Sequence, residues 1–133
     1  MTFNGAYDTV TDAGLNPLPD ESIPIWVGGL SDAAIERVGR LGDGWLPLGE
    51  PDAENAERIE RFRQIAAEGG RDVDAIGIDA PLSYARTSPD HWGDIVDGWR
   101  GLGATHLSVD TMSAGFRGAE HIEGIRKFRE ATG

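Results

Sequence analysis

Ile23-Pro24-Ile25-Trp26-Val27-Gly28-Gly29-Leu30-Ser31 is the stretch on which the fold turns. Its first five residues are apolar without interruption, as in a strand covered on both faces, and Pro24 fits only near a strand's start. Two glycines follow, and then Ser31, a residue suited to cap a helix N-terminus. Behind it Ala34, Ile35, Val38 and Leu41 recur on one helical face, and Gly42 ends the pattern. Strand, glycine turn and capped helix make one β/α unit.

Reading outward, the same rhythm returns three more times. Gly44-Trp45-Leu46-Pro47-Leu48 is a short run ending at Gly49. Pro51-Asp52 then opens a long helix with Ile59, Phe62, Ile65 and Ala66 as its buried stripe. Glu54/Arg58 and Glu57/Arg61 are i,i+4 pairs in the favourable order, and Gly69-Gly70 closes that helix. The third run spans Ile76 to Tyr84. Ser88-Pro89-Asp90 follows as a helix start, and Trp92, Ile95, Val96, Trp99 and Leu102 recur behind it. Thr105-His106-Leu107-Ser108-Val109 is the fourth, followed by a glycine-rich loop from Ser113 to Gly118 and a helix that turns Ile122, Ile125 and Phe128 inward. The prediction is an α/β fold of four parallel β/α units over residues 23–133. Residues 1–22, rich in Thr, Asp, Asn, Gly and Pro, read as an extended N-terminal arm with little regular structure.

With 133 residues the chain has room for one domain. Its 12 basic and 23 acidic residues leave a net charge of −11, which argues against nucleic acid, whose phosphates are bound by lysine and arginine. The absence of cysteine excludes disulfides, a thiol nucleophile and Cys-ligated metals. No apolar run approaches the roughly 20 residues of a membrane-spanning helix, and Met1 to Gly5 carries no signal-peptide pattern. A soluble, cytoplasmic protein without membrane partners is expected. His91, His106 and His121 fall in separate elements, so no metal site is expected. His106 reads as a half-buried strand residue and His91 as a solvated first-turn residue.

The candidate chemistry lies at turns. Gly28, Gly29, Leu30 and Ser31 would let a ligand approach the backbone closely, and the free N–H groups of the helix behind them attract an anion. The same residues also suit an ordinary tight turn, and the third glycine of a dinucleotide-binding fingerprint is missing. Asp79, Asp110 and Thr111 are placed at or near strand C-termini, where α/β folds collect functional groups or cap the next turn. Trp92 and Trp99 read as packing residues.

The block from Ile23 to Gly29, with Ala33-Ala34 and Gly39-Arg40-Leu41-Gly42-Asp43-Gly44-Trp45-Leu46-Pro47, resembles the central segment of the luciferase-like monooxygenases, especially their deazaflavin-dependent members. Gly103 to Val109 with Ile122 to Phe128 is similar to that family's last strand and helix. Phe3-Asn4-Gly5 and Gly14 to Pro19 resemble the arm before its fifth strand. The resemblance implies a (β/α)8 barrel that binds FMN or coenzyme F420 at the C-terminal ends of its strands for hydride transfer or oxygen activation on a small-molecule substrate. A full barrel takes about 250 residues, so the implied architecture here is its second half, a half-barrel of four units.

By the same resemblance Gly28, Gly29, Leu30 and Ser31 would bind the cofactor phosphate, while Trp45, Leu46 and Pro47 would line the cofactor cavity. Arg86 and Arg117, in loops after the third and fourth strands, could reach the phosphate. The family's first four strands, with most contacts to the ring and the usual proton-transfer residues, have no counterpart, so no catalytic residue is assigned. Such a wall would leave an apolar inner lining and two sheet edges bare. The expected remedy is closure by a second copy around a two-fold axis, giving a homodimer, or by a companion chain. A non-catalytic relic or interaction module that keeps only the packing is the competing reading.

Overall fold

A short antiparallel pair opens the chain, β1 (Phe3–Asn4) with β2 (Thr9–Val10), turned by the Gly5 amide donating to the Asp8 carbonyl at 2.8 Å. The arm therefore holds more regular structure than its composition suggests, because β-branched Thr9 and Val10 favour extended pairing. This computed structural model describes residues 1–14 and 17–133. Leu15 and Asn16, inside the Gly14 to Pro19 part of the arm, lie outside the described residues.

The four apolar runs become β3 (Trp26–Gly28), β4 (Gly44–Leu46), β5 (Gly77–Ser83) and β6 (His106–Asp110), with α1 (Asp32–Leu41), α2 (Ala53–Glu68), α3 (Trp92–Gly101) and α4 (Glu120–Thr132) between and after them. Among the described residues they form one parallel sheet in the order β3-β4-β5-β6. Sequential parallel strands joined by right-handed crossovers put all the connecting helices on one face. The core lies on that face. Trp45, Ile78 and Ala80 of the strands meet Ile35, Val38, Ile59, Phe62 and Trp99 of the helices, and a second cluster joins Leu82 to Trp92, Val96 and Phe128.

Local chemistry explains most element ends. The Ser31 side chain accepts from the Ala34 amide at 3.3 Å, and the Asp52 carboxylate accepts from the Asn55 amide at 2.8 Å. The C-terminus of α1 is closed by Arg71, whose guanidinium donates to the carbonyls of Val38, Gly39 and Gly42. Pro81 sits inside β5 without penalty, since it lies beyond the last β4–β5 pair, Trp45 with Ile78.

Several expectations need correction. The first strand of the parallel sheet, β3, begins at Trp26, so Ile23 and Ile25 precede it and are exposed. Ser88 makes no side-chain cap; Pro89–His91 forms a 3-10 turn, and α3 starts only at Trp92. Arg61 pairs with Asp32 of α1 at 2.7 Å in place of Glu57. Leu41, at the end of α1, is exposed, as are Ile122 and Ile125, because the last helix packs through Phe128 and leaves those other apolar positions uncovered. The largest difference is the helix-free face of the sheet. Strand alternation turns Trp26, Gly44, Leu46, Gly77, Asp79, Pro81, Ser83, His106, Ser108 and Asp110 toward it, and this surface is polar and glycine-rich where an apolar lining was expected.

Candidate functional site at the C-terminal edge of the sheet

Gly28 ends β3 and is exposed, and Gly29 has φ of +115°, a conformation that L side chains rarely adopt. That backbone is held from below: the Trp45 indole N–H donates to the Gly29 carbonyl at 2.9 Å. Trp45 is wholly buried in the helix-side core and so does not face the open side as a cavity wall; Pro47, just past β4, is also buried. Trp45 acts through the turn. Leu46, 38% exposed, does stand on the open face beside Gly28, its partner in register.

Beyond the turn, Ser31 spends its oxygen on the Ala34 amide, while Leu30 packs against the core. Among the described residues the amides of Asp32 and Ala33 have no acceptor, the ordinary condition of a helix start. Asp32 would repel an anion at this place. Its carboxylate is instead engaged by Arg61 from α2, which offsets that charge.

The loops after β4 and β5, with the end of β6, enclose a cleft of about 380 Å³ on the same edge of the sheet, lined by Leu48, Glu50, Pro81, Ser83, Arg86 and Asp110 among others. Its β4 wall is fixed by Asn55, a buried polar side chain that the sequence reading missed. The Asn55 carboxamide donates to the carbonyls of Leu48 at 3.0 Å and Glu50 at 2.8 Å and accepts from Arg58 at 3.1 Å. The signal was present, since Asn55, Ile59, Phe62 and Ala66 follow each other at the spacing of one buried stripe.

The other singled-out residues scatter. Asp79 lies near the start of β5, not its end, and accepts from the Ser108 hydroxyl at 2.8 and 2.7 Å. Asp110 ends β6 and accepts from the Met112 amide at 3.0 Å, and Thr111 bonds the His121 ring at 2.8 Å. His106 is exposed, not half-buried, with its ring edge-on to Trp26 at 5.1 Å. His91 is exposed as expected. Arg86 borders the cleft, whereas Arg117 lies in the loop before α4, its amide bonded to Glu120. Trp26 was not singled out as a site residue. Its indole lies across Gly44 and Gly77, where a Cβ on either would collide with it, and so it crosses the open face from β3 to β6.

One-sided parallel β/α repeats with a glycine turn and a cleft at the strand C-termini define a protein of the barrel-forming α/β class, whose ligands sit at that edge. The family described as luciferase-like monooxygenase matches residues 1–131, and the chain belongs to it. Uncharacterised proteins of Mycobacterium tuberculosis and Mycobacterium bovis are 32% identical over 81 residues, covering 58% of this chain and 28% of theirs. Among solved structures, the coenzyme F420 dependent tetrahydromethanopterin reductase of Methanopyrus kandleri has a TM-score of 0.65 at 13% identity, over 93% of this chain and 55% of its own. An F420-dependent secondary alcohol dehydrogenase in complex with an F420-acetone adduct has a TM-score of 0.52 at 19% identity, over 99% and 47%. A riboflavin lyase with modified FMN and riboflavin follows at 0.51 and 21%, over 74% and 23%. At these identities the structural likeness is one of fold. The chain spans 28% of the length of those mycobacterial relatives and 55% or less of these enzymes. No helix among the described residues is long and apolar enough to cross a membrane.

Proposed function

We propose that the chain carries the cofactor-phosphate part of a flavin- or F420-dependent oxidoreductase site of the luciferase-like type, as a truncated or split form whose other half-barrel comes from a second copy or a companion chain. The observation that supports it most is the Gly28–Gly29 turn, with its left-handed backbone tied to Trp45 and the open start of α1 beside it. The fit is steric and electrostatic. Gly28 offers no side chain, the Asp32 and Ala33 amides offer donors, and Arg61 holds the nearby acid.

When bound, FMN or F420 would supply hydride transfer or oxygen activation toward a small-molecule substrate. The chain's own residues bind and orient. The turn and helix start receive the phosphate, Leu46 and Pro81 offer apolar surface on the open face, and Arg86 brings a cation to the cleft. No proton-transfer residue is assigned. The competing reading, a packing module without a cofactor, draws on the burial of Trp45 and Pro47.

Titrating the purified chain with FMN and with F420, followed by the cofactor's own fluorescence, separates the two. Saturable binding of at least one, lost in Gly29→Asp with far-UV circular dichroism unchanged, is the expected result. No saturable binding of either leaves the packing module.

A further inference from the structure

The sheet has two bare edges. Among the described residues nothing pairs with the outer side of β3 or of β6, and the strand direction is the same in both. Exposed apolar side chains occur in the chain beside both: Ile23 and Ile25 run directly into β3, and Ile122 and Ile125 stand on α4, the helix that follows β6 in sequence. Bare parallel edges with apolar margins are a template for another polypeptide. The question is which one.

The charge on the helix-free face decides it. Asp79 and Asp110 both point to that face, and none of the four strands contains a lysine or arginine; the other ionisable groups near it are His106, the register partner of Asp79, and Arg86, which borders the cleft with Asp110. Asp79 receives the Ser108 hydroxyl and Asp110 the Met112 amide; these donors are neutral and supply no positive charge. In an eight-stranded barrel the interior is only wide enough for side chains to fill it. Two-fold closure by a second copy would set β5 across from β5 of that copy, so the four strand carboxylates, Asp79 and Asp110 of each, would share one lining with no strand lysine or arginine, the two Arg86 side chains standing only at the cleft beside Asp110. An ionised carboxylate taken out of water needs an opposite charge, and like charges at close range repel. The net charge of −11 on each chain adds to the opposition.

We propose that the helix-free face and the two bare edges take a companion polypeptide whose inward-facing side chains include lysine or arginine, in preference to a second copy of this chain. This rests on the half-barrel reading above and narrows its partner to one with a basic inner face.

The test makes a basic partner from the chain itself. Wild type and the Asp79→Lys/Asp110→Lys variant are sedimented separately and as an equimolar mixture, with folding checked by far-UV circular dichroism. Each alone is expected to run as a monomer of 14.3 kDa. The mixture is expected to form a one-to-one complex, at least about tenfold tighter than either self-association and weakened by added salt. Wild type pairing with itself as tightly as in the mixture overturns the proposal in favour of the second copy. A folded mixture without any complex overturns the docking face altogether. Should the doubly substituted chain not fold, Asp79→Asn serves: its self-association is expected to be severalfold tighter than wild type, and an unchanged affinity overturns the charge argument. Neither readout uses a cofactor, so a failed flavin titration and a failed pairing are distinct results.

Discussion

Gly29 and Trp45 form the tightest link between one residue and the proposed binding turn. Trp45→Phe keeps an aromatic ring in the core but removes the N–H that the Gly29 carbonyl receives together with the pyrrole half of the buried indole. It is expected to cost about 1–3 kcal/mol by urea unfolding and to weaken any flavin binding severalfold. Gly29→Ala strains a backbone at φ +115° and is expected to cost about 1–3 kcal/mol in the same measurement. Gly44→Ala drives a methyl into the Trp26 indole, so a loss of about 1–3 kcal/mol is expected, with a changed near-UV circular dichroism spectrum as the ring shifts. Glycines such as these were visible in the sequence only as glycines. What each makes room for became plain once register brought Gly44 beside Trp26 and set Asp79, two residues past Gly77, beside His106.

At the scale of elements, the four β/α units were legible because short apolar runs and period-3.6 stripes alternate with capping residues, as Ser31 and Asp52 show. Burial within those elements was less legible. Leu41, Ile122 and Ile125 continue their helical stripes, yet a stripe shows only which face is apolar, not whether a neighbour covers it. Ile122→Lys with Ile125→Lys should therefore change the stability of the isolated chain by no more than about 0.5 kcal/mol each by chemical denaturation. Asn55 is the opposite case, a polar residue inside a buried stripe. Replacing it with alanine leaves the Leu48 and Glu50 carbonyls without their donor and is expected to cost about 1–3 kcal/mol, with faster amide exchange across residues 48–52.

For the whole molecule, the block from Ile23 to Pro47 carried the family, and the match over residues 1–131 agrees with it. The helix-free face was harder to read, because strand alternation alone does not say which parity faces the helices. The apolar parity, Ile78, Ala80 and Leu82, turned out to be spent on the helix layer. The remaining parity keeps Asp79, Ser83, Ser108 and Asp110, groups that water solvates well, so the uncovered surface is less costly than a greasy one. On the half-barrel reading proposed above, closure is a matter of matched charge and backbone pairing more than of hiding hydrocarbon.

Of the four tryptophans, Trp45, Trp92 and Trp99 are fully buried while Trp26 is the partly exposed one, stretched over the helix-free face. A small aqueous quencher such as acrylamide will reach that indole long before it reaches the other three. The protein thus carries an optical gauge: the quenchable share of its intrinsic emission reads out, without any label, how much of the time that face is occupied.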